Sequence, residues 1–364
     1  MARPETAGHG GTLSTRTWNI AILAGDGIGP EVTAEAVKVL RTLEQRLEGV
    51  RFALTPVSAG AAEFLRSGDP LPASTYAACR EADAVLLAAM GLPDVRWPDG
   101  RELTPQIDIR EQLDLYCGLR PIRLYHRHDT PLKGVAAGEI DFVIVRESTE
   151  GLFSGRLSKS NGSDSEYCDT LRITRGGSER LFRSAFELAR ARRRKVTLVD
   201  KANVLPSMVF FRRVFDEVAR AYPDVETERV YVDAAALFLL RRPQTFDVMV
   251  TENMFGDILS DLAAGLVGGM GMAPSADIGD EYALFQPSHG SAPDIAGRNI
   301  ANPIAMILSA ALMLDWLQDP ELSRGAARIR RAVERVLANP ENRTPDLKGS
   351  LSTSAMGDLV VAHL

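Results

Sequence analysis

The feature that most constrains this chain is a series of short apolar runs, each leading into a polar tip, a glycine or a helical stretch. Residues 18–24 (WNIAILA), 84–91 (AVLLAAMG), 142–145 (FVIV), 196–200 (VTLVD), 230–233 (VYVD) and 246–250 (FDVMV) have the length and apolar content of buried strands. After the first, Val32, Ala36, Leu40, Leu43 and Leu47 recur at helical spacing, and Pro30-Glu31 suits a helix start. After the last comes TENMFGDILSDL, residues 251–262. In α/β sheets, ligand sites gather at the carboxyl ends of strands. At 364 residues the chain is too long for one small core, so two domains or one large domain with an insertion is expected.

The charged residues at the strand tips are therefore the candidates for chemistry. On a helix, Asp257 and Asp261 are i and i+4, which places both carboxylates on one face. Two acids so placed either stay solvated on an exposed helix or share a cation between them. Hard oxygen ligands suit Mg²⁺ or Mn²⁺, which take one or two carboxylates and complete their shell with water and substrate oxygens. Arg110 and Arg120 flank a segment read as a short helix, and Arg146 ends the run 142–145. Guanidinium forks match carboxylate geometry, so the three either clamp an acidic substrate or serve as surface ion-pair partners. Lys201 follows VTLVD, as a base or as a rim charge, and Asp233 ends VYVD. The loop FQPSHGSAPD, residues 285–294, is of the kind that wraps a ligand.

The turn after the first strand, GDGIGP (residues 25–30), is not the GxGxxG dinucleotide fingerprint, so no Rossmann domain is read from it. It is either a flexible loop that approaches a ligand or simply a tight turn. The basic run from Arg190 to Lys195 closes a helical stretch beginning near Gly177 and reads as a solvated C-terminus favoured by the helix dipole. A net charge of −6 gives no drive toward nucleic acid or anionic membrane, and no apolar run approaches the ~20 residues a membrane span needs. Residues 1–16 lack an apolar signal core and read as a disordered tail. Three widely spaced cysteines (Cys79, Cys117, Cys168) form neither a disulfide framework nor a metal knuckle, which fits a reducing cytoplasm.

The motifs GDGIGPEV, DLYCGLRP, RESTEG, VDKANVL, TENMFGDILSDL, HGSAPDIAG and IANP together resemble the NAD(P)- and metal-dependent β-decarboxylating dehydrogenases. That family includes isopropylmalate, isocitrate, homoisocitrate, tartrate and D-malate dehydrogenases, and the resemblance spans Ile20 to about Leu351. It implies an isopropylmalate-dehydrogenase-like two-domain α/β fold with a mixed sheet flanked by helices. Residues 17–115 and 268–364 would form the cofactor-binding domain. Residues 116–267 would form an inserted domain carrying a dimer interface and an arm at 154–172. By the same resemblance, Arg110, Arg120 and Arg146 grip a malate-like pair of carboxylates. Asp257 and Asp261 bind Mg²⁺ or Mn²⁺ with Asp233 of a second subunit, whose Lys201 takes the 2-hydroxyl proton. The cofactor would lie against His289, Gly290, Ser291, Ala292, Asp294 and Ile295, with Asn302 near the adenine. Asp294 facing the ribose hydroxyls would favour NAD over NADP. A small 2-hydroxy acid and a second copy of the chain, as a dimer or tetramer, are the implied partners.

Two departures matter. The family tyrosine that reprotonates the product is replaced by Phe153, so water, Lys201 or another hydroxyl must serve. In the loop facing the substrate's variable group, Thr104 and Gln106 stand where isocitrate enzymes place polar side chains, whereas isopropylmalate enzymes favour leucines. 3-Isopropylmalate is the first expectation, with tartrate, D-malate, homoisocitrate and isocitrate open. A non-catalytic regulatory relative, suggested by Phe153, is the alternative class.

Overall fold

The computed structural model describes residues 15–156 and 165–364. The chain divides into two compact units, one containing the described residues up to Ile109 together with Gly279–Leu364, the other Arg110–Ile278. Among the described residues the strands are β1 (Arg16–Gly25), β2 (Val50–Pro56), β3 (Ala84–Ala89), β4 (Cys117–Arg123), β5 (Asp141–Glu147), β6 (Lys195–Asp200), β7 (Glu226–Tyr231), β8 (Val248–Thr251), β9 (Pro274–Ile278) and β10 (Ala283–Pro287).

In the first unit the order is β2-β1-β3-β10, with every pairing parallel. All six residues of β3 are buried, as a strand covered on both faces requires. The helix Ile304–Trp316 is apolar nearly all round and is correspondingly buried, packing on β3, β10 and the helices Gly29–Glu44 and Pro320–Ala338.

The GDGIGP turn is a tight one. Gly25 and Gly27 have φ of +69° and +59°, and a Cβ on either would come within 1.9 Å of a backbone oxygen, of Ala89 and Ser291 respectively. Between them, buried Asp26 accepts hydrogen bonds from the amides of Ala61 (2.7 Å), Ala62 (2.9 Å) and Gly91 (2.8 Å). Three segments are thus tied by one carboxylate, and the turn's close approach is to its own protein.

The second unit carries the order β9-β4-β5-β8-β6-β7. Its sheet is mixed: β4 runs antiparallel to both β5 and β9, and the remaining pairs are parallel. One helical layer, with Phe182, Phe186, Phe211 and Phe215 at its centre, covers one part of the core. A second core packs Phe142, Phe246, Leu239, Leu259 and Ala263. The expected mixed sheet flanked by helices is present.

Several local expectations differ from the structure. Arg120 does not flank a helix: the helix Pro105–Gln112 ends early, Asp114 turns the chain at φ 50°, and Arg120 lies inside β4. The run VYVD does not end as a strand; β7 stops at Tyr231, and Asp233 stands in the first turn of the helix Val232–Arg241. The following AAALFLL favours helix, and an acid in the first turn suits the helix dipole. The basic run is more than a solvated end. Arg192 donates to Asp247 (2.8 Å) and Asp141 (2.6 Å), and the Arg193 amide donates to Asp247 (2.8 Å). Buried Asp247 thus fixes the turn into β6. The expected tail at 1–16 lies outside the described residues except for Thr15 and Arg16, and Arg16 opens β1. Of the expected arm, residues 157–164 also lie outside; its base is closed by a bridge between Gly151 and Arg172.

Candidate functional site

Sheet register builds the centre of the site. Gly118 on β4 is opposite Arg146 on β5 and opposite Asp277 on β9, so these three form one row on one face. Arg120 is two residues along β4 and therefore on that same face. Gly118 is the space in the row: a Cβ there would lie 2.6 Å from Ser148 Oγ and 3.1 Å from Asp277 Oδ1.

The three arginines gather around Asp277 and its row. Arg110, Arg120 and Arg146 are all buried, as are Asp277 and Asn253. Arg120 Nη2 donates to Asp277 Oδ1 (3.1 Å), while its Nη1 donates to the carbonyls of Leu119 (3.0 Å) and Ala276 (3.0 Å). Arg110 Nε lies 3.3 Å from Asp277 Oδ2 without hydrogen-bond alignment, and it is a buried donor with no acceptor. Ser148 Oγ donates to Asp277 at 3.3 Å. Burial alone would raise the Asp277 pKa, but Arg110, Arg120 and Arg146 overcome it and hold the carboxyl at about 2. It is therefore charged across the working pH range.

Arg146 joins this row to the helix Asn253–Gly265, whose N-terminus is capped by the Glu252 side chain on the Phe255 amide (2.6 Å). Its Nε and Nη2 donate to Asn253 Oδ1 (3.0 and 2.7 Å), and its Nη1 pairs with Asp257. Gly256 makes this possible, since a Cβ there would meet Arg146 Cγ at 2.6 Å and Cβ at 2.7 Å. Burial pulls the Arg146 pKa down to about 10; Asp257 opposes this, and Arg110 and Arg120 add to it.

Asp257 is half exposed, and Asp261 is exposed one turn further along the same face. Asp261 has its pKa raised, first by partial burial and then by the charge of Asp257. A pair of acids that repel each other on an accessible face fits a hard divalent cation by donor chemistry. Lys201 and Asp233 follow the carboxyl ends of the paired strands β6 and β7 and meet each other, Nζ to Oδ1 at 2.6 Å. The hydrogen bond from Lys201 lowers the Asp233 pKa. Among the described residues no three His, Cys, Asp or Glu side chains of this one chain gather at metal-holding spacing. Asp233 is thus not assembled with Asp257 and Asp261 within the chain.

Phe153 stands where Arg146 can reach it: the guanidinium carbon is 5.5 Å from the ring centroid. Before the arginines in sequence, Thr104 precedes the helix Pro105–Gln112 and Gln106 lies in its first turn, with a buried Oε1 that has no donor.

The candidate cofactor loop belongs to the first unit. Ser291 anchors it, accepting from the Ile28 amide (2.8 Å) and donating its hydroxyl to Gly91 O (2.5 Å). Ala292 is held at φ +38°, a strained position for a residue with a Cβ. His289 Nδ1 meets the Gly290 carbonyl at 2.9 Å, while its Nε2 is buried without a partner. Burial lowers the His289 pKa, so the ring is neutral and its orphaned nitrogen suits a polar ligand atom. Asp294 is exposed, and the Ile295 amide donates back to Ala292 O (3.2 Å). Asn302 is buried: Oδ1 accepts from the Ile304 amide (3.0 Å) and Nδ2 donates to Asp346 (3.1 Å), so its amide fixes the start of the helix Ile304–Trp316.

Asp277 and Gly118 are not among the residues singled out from sequence. Asp277 does carry a visible mark, a lone acid inside the otherwise small and apolar PSADI.

Comparison with known proteins gives one consistent result. A family model described as isocitrate/isopropylmalate dehydrogenase matches residues 19–360. A 3-isopropylmalate dehydrogenase of Priestia megaterium is 47% identical, covering 95% of this chain and 95% of the relative. One from Vibrio cholerae is 44% identical, over 97% of this chain and 99% of the relative. The crystal structure of isocitrate dehydrogenase from Methylococcus capsulatus superposes with a TM-score of 0.85 at 39% identity, covering 95% of this chain and 99% of that one.

Proposed function

The chain belongs to the isocitrate/isopropylmalate dehydrogenase family, and we propose that it oxidises and decarboxylates a 3-substituted malate, with 3-isopropylmalate the first substrate. The observation that carries the reading is Arg146, which links the buried arginine row to Asp257, the first acid of the Asp257–Asp261 pair. A 2-hydroxy acid gripped by Arg110, Arg120 and Arg146 would present its hydroxyl toward those acids. Mg²⁺ or Mn²⁺ held by Asp257 and Asp261 would supply Lewis acidity at the C2 oxygen, and NAD would supply the hydride acceptor. His289, Gly290, Ser291, Ala292, Asp294, Ile295 and Asn302 are the proposed cofactor residues. Exposed Asp294 favours NAD because a carboxylate repels a 2′-phosphate.

Lys201 and Asp233 fit a site completed by a second copy. The helices Val232–Arg241 and Asn253–Gly265 expose Leu237 (53%), Leu240 (48%) and Ile258 (60%), an apolar set next to the site acids. Covering it with the same surface of another protomer supports a homodimer. The partner subunit's Lys201 would then take the 2-hydroxyl proton, and the partner subunit's Asp233 would complete the metal set.

A second reading for the substituent rests on Gln106, whose buried acceptor oxygen lacks a donor. Such a group costs about 1–3 kcal/mol beside an isopropyl group and is satisfied by a substrate hydroxyl, as in tartrate. NAD reduction measured with Mg²⁺ or Mn²⁺ over 3-isopropylmalate, tartrate, D-malate, homoisocitrate and isocitrate decides between them. Turnover of 3-isopropylmalate at the highest kcat/KM supports the first reading. No turnover of any of them sinks the function and leaves the regulatory relative.

A further inference from the structure

We infer that Arg212 and Asp200 are positioning residues for Lys201. The inference rests on the reading above that Lys201 serves the site of a second copy. The strands β6 and β7 run parallel, and their last registered pair is Asp200 opposite Tyr231. Lys201 is the first residue past that pair, and Asp233 stands two residues past Tyr231. Both residues therefore leave one shared strand tip.

That tip is tied down from the helix Pro206–Ala219. Asp200 is fully buried, and Arg212 donates to both of its oxygens, Nε to Oδ2 and Nη2 to Oδ1, each at 2.7 Å. Asp200 Oδ1 also accepts from the amide of Ala202 (3.0 Å), the residue just after Lys201. The Lys201 carbonyl in turn accepts from the amides of Val204 (3.1 Å) and Leu205 (3.0 Å). The guanidinium carbon of Arg212 lies 5.2 Å from the Tyr231 ring centroid, so one side chain faces both strand ends. A buried ion pair gives little net stability over apolar groups of the same volume, but a bidentate fork fixes orientation. Lysine carries its charge on a flexible stem, so its ammonium is only as well placed as the backbone that bears it. The fork supplies that fixed base, and Lys201 Nζ then meets Asp233 Oδ1 at 2.6 Å.

The test is Arg212→Gln, at a partly exposed side chain where water can fill the space left. On the substrate turned over fastest, with NAD and Mn²⁺ saturating, kcat is expected to fall about tenfold with KM within about threefold, because the chain's own arginine row is untouched. A kcat within about twofold of the wild type overturns the inference. A structural defect acts inside the damaged chain, whereas a misplaced Lys201 acts on the other copy. Mixed dimers separate the two: one Arg212→Gln chain and one Asp257→Asn chain, co-expressed under different tags and purified through both. One site then combines the intact arginines and acids of the Arg212→Gln chain with a well-placed Lys201 from its partner; the other site carries both defects. Activity of about half the wild type is expected, although the Arg212→Gln homodimer keeps about a tenth and the Asp257→Asn homodimer about a hundredth. About a twentieth, the value for damage confined to the Arg212→Gln chain, overturns the inference. If Arg212→Gln does not fold, Arg212→Lys, which keeps the charge but cannot span both oxygens, is read in the same two measurements. Lys201→Met paired with Asp257→Asn is the control. Recovery to about half there upholds the cross-supplied site, so that a failure with Arg212→Gln belongs to the inference alone; no recovery there sinks the reading and the inference with it.

Discussion

The arginine row and the acid pair are adjacent, yet they handle charge in opposite ways. Arg110, Arg120, Arg146 and Asp277 are buried; Asp277 answers Arg110 and Arg120, backbone carbonyls take further donors of Arg120, and Arg146 is met by Asn253 and by Asp257, the one acid shared with the exposed set. Asp257, Asp261 and the Lys201–Asp233 pair reach solvent, and Asp257 and Asp261 repel each other. Breaking a buried set leaves an unpaired charge inside the protein and is expensive, whereas exposed acids cost the fold little. The first region is therefore part of the framework; the second is left to be completed from outside.

The sharpest way to break this contrast is to remove one exposed acid. Asp257→Asn is expected to lower kcat/KM by about a hundredfold or more and to raise the Mn²⁺ concentration needed for half activity, with the melting temperature nearly unchanged. An unaltered metal requirement would take Asp257 out of the metal set. The complementary change is in the framework. Gly256→Ala pushes a methyl into the Arg146 side chain and should cost about 2–4 kcal/mol in denaturant unfolding, with activity falling only as Arg146 is displaced. If Gly256→Ala is as stable as the wild type, the arginine is less firmly seated than its contacts indicate.

A pH experiment sharpens the buried side further. Burial lifts the carboxyl of Glu147, the neighbour of Arg146, to about 7, well above the usual carboxylate range, against the amides of Thr149 and Glu150 that favour its charge. The folded protein thus holds a proton that the unfolded chain has released. The associated stability is present below about pH 4.5 and is lost as pH rises through 7, worth at most about 3 kcal/mol. Glu147→Gln should therefore flatten the fall in melting temperature between pH 5 and pH 8, and equal slopes for the two proteins would refute it. The smallest effect is expected at Phe153. Phe153→Tyr offers a proton donor beside Arg146 and should raise kcat by about three- to tenfold, with a new pH dependence in the decarboxylation step. An unchanged rate and profile would mean that another group already supplies the proton.

Much of the fold and half of this contrast could be read from the chain before its structure. Asp257, Asp261, Arg146 and Lys201 betray themselves because they follow apolar runs, where a charge has no packing reason to be. Arg120 was legible as a residue but not as a strand residue, because one of the two strands that β4 pairs with, β9, is distant in sequence. Asp277 escaped for the same reason: inside a short segment bordered by glycines it reads as loop, and only pairing with β4 brings it beside the arginines. Asp233 was misassigned to a strand because an apolar run of four residues has no period of its own; the alanines after it decide for helix. The basic run misled because its partners, Asp141 and Asp247, lie about 50 residues away.

The row Arg146–Gly118–Asp277 also has a meaning for assembly. Its members come from three strands, and the carboxylate arrives last from the ribosome. A chain ending before Pro274 would carry all three guanidinium groups and lack the anion that reconciles them. In that state β4 would have cationic side chains and one bare edge, a poor substrate for stable pairing. Competence to grip a dianion and completion of the six-stranded segment are thus a single event, and ligand protection can serve as an assay for full-length closure of this sheet.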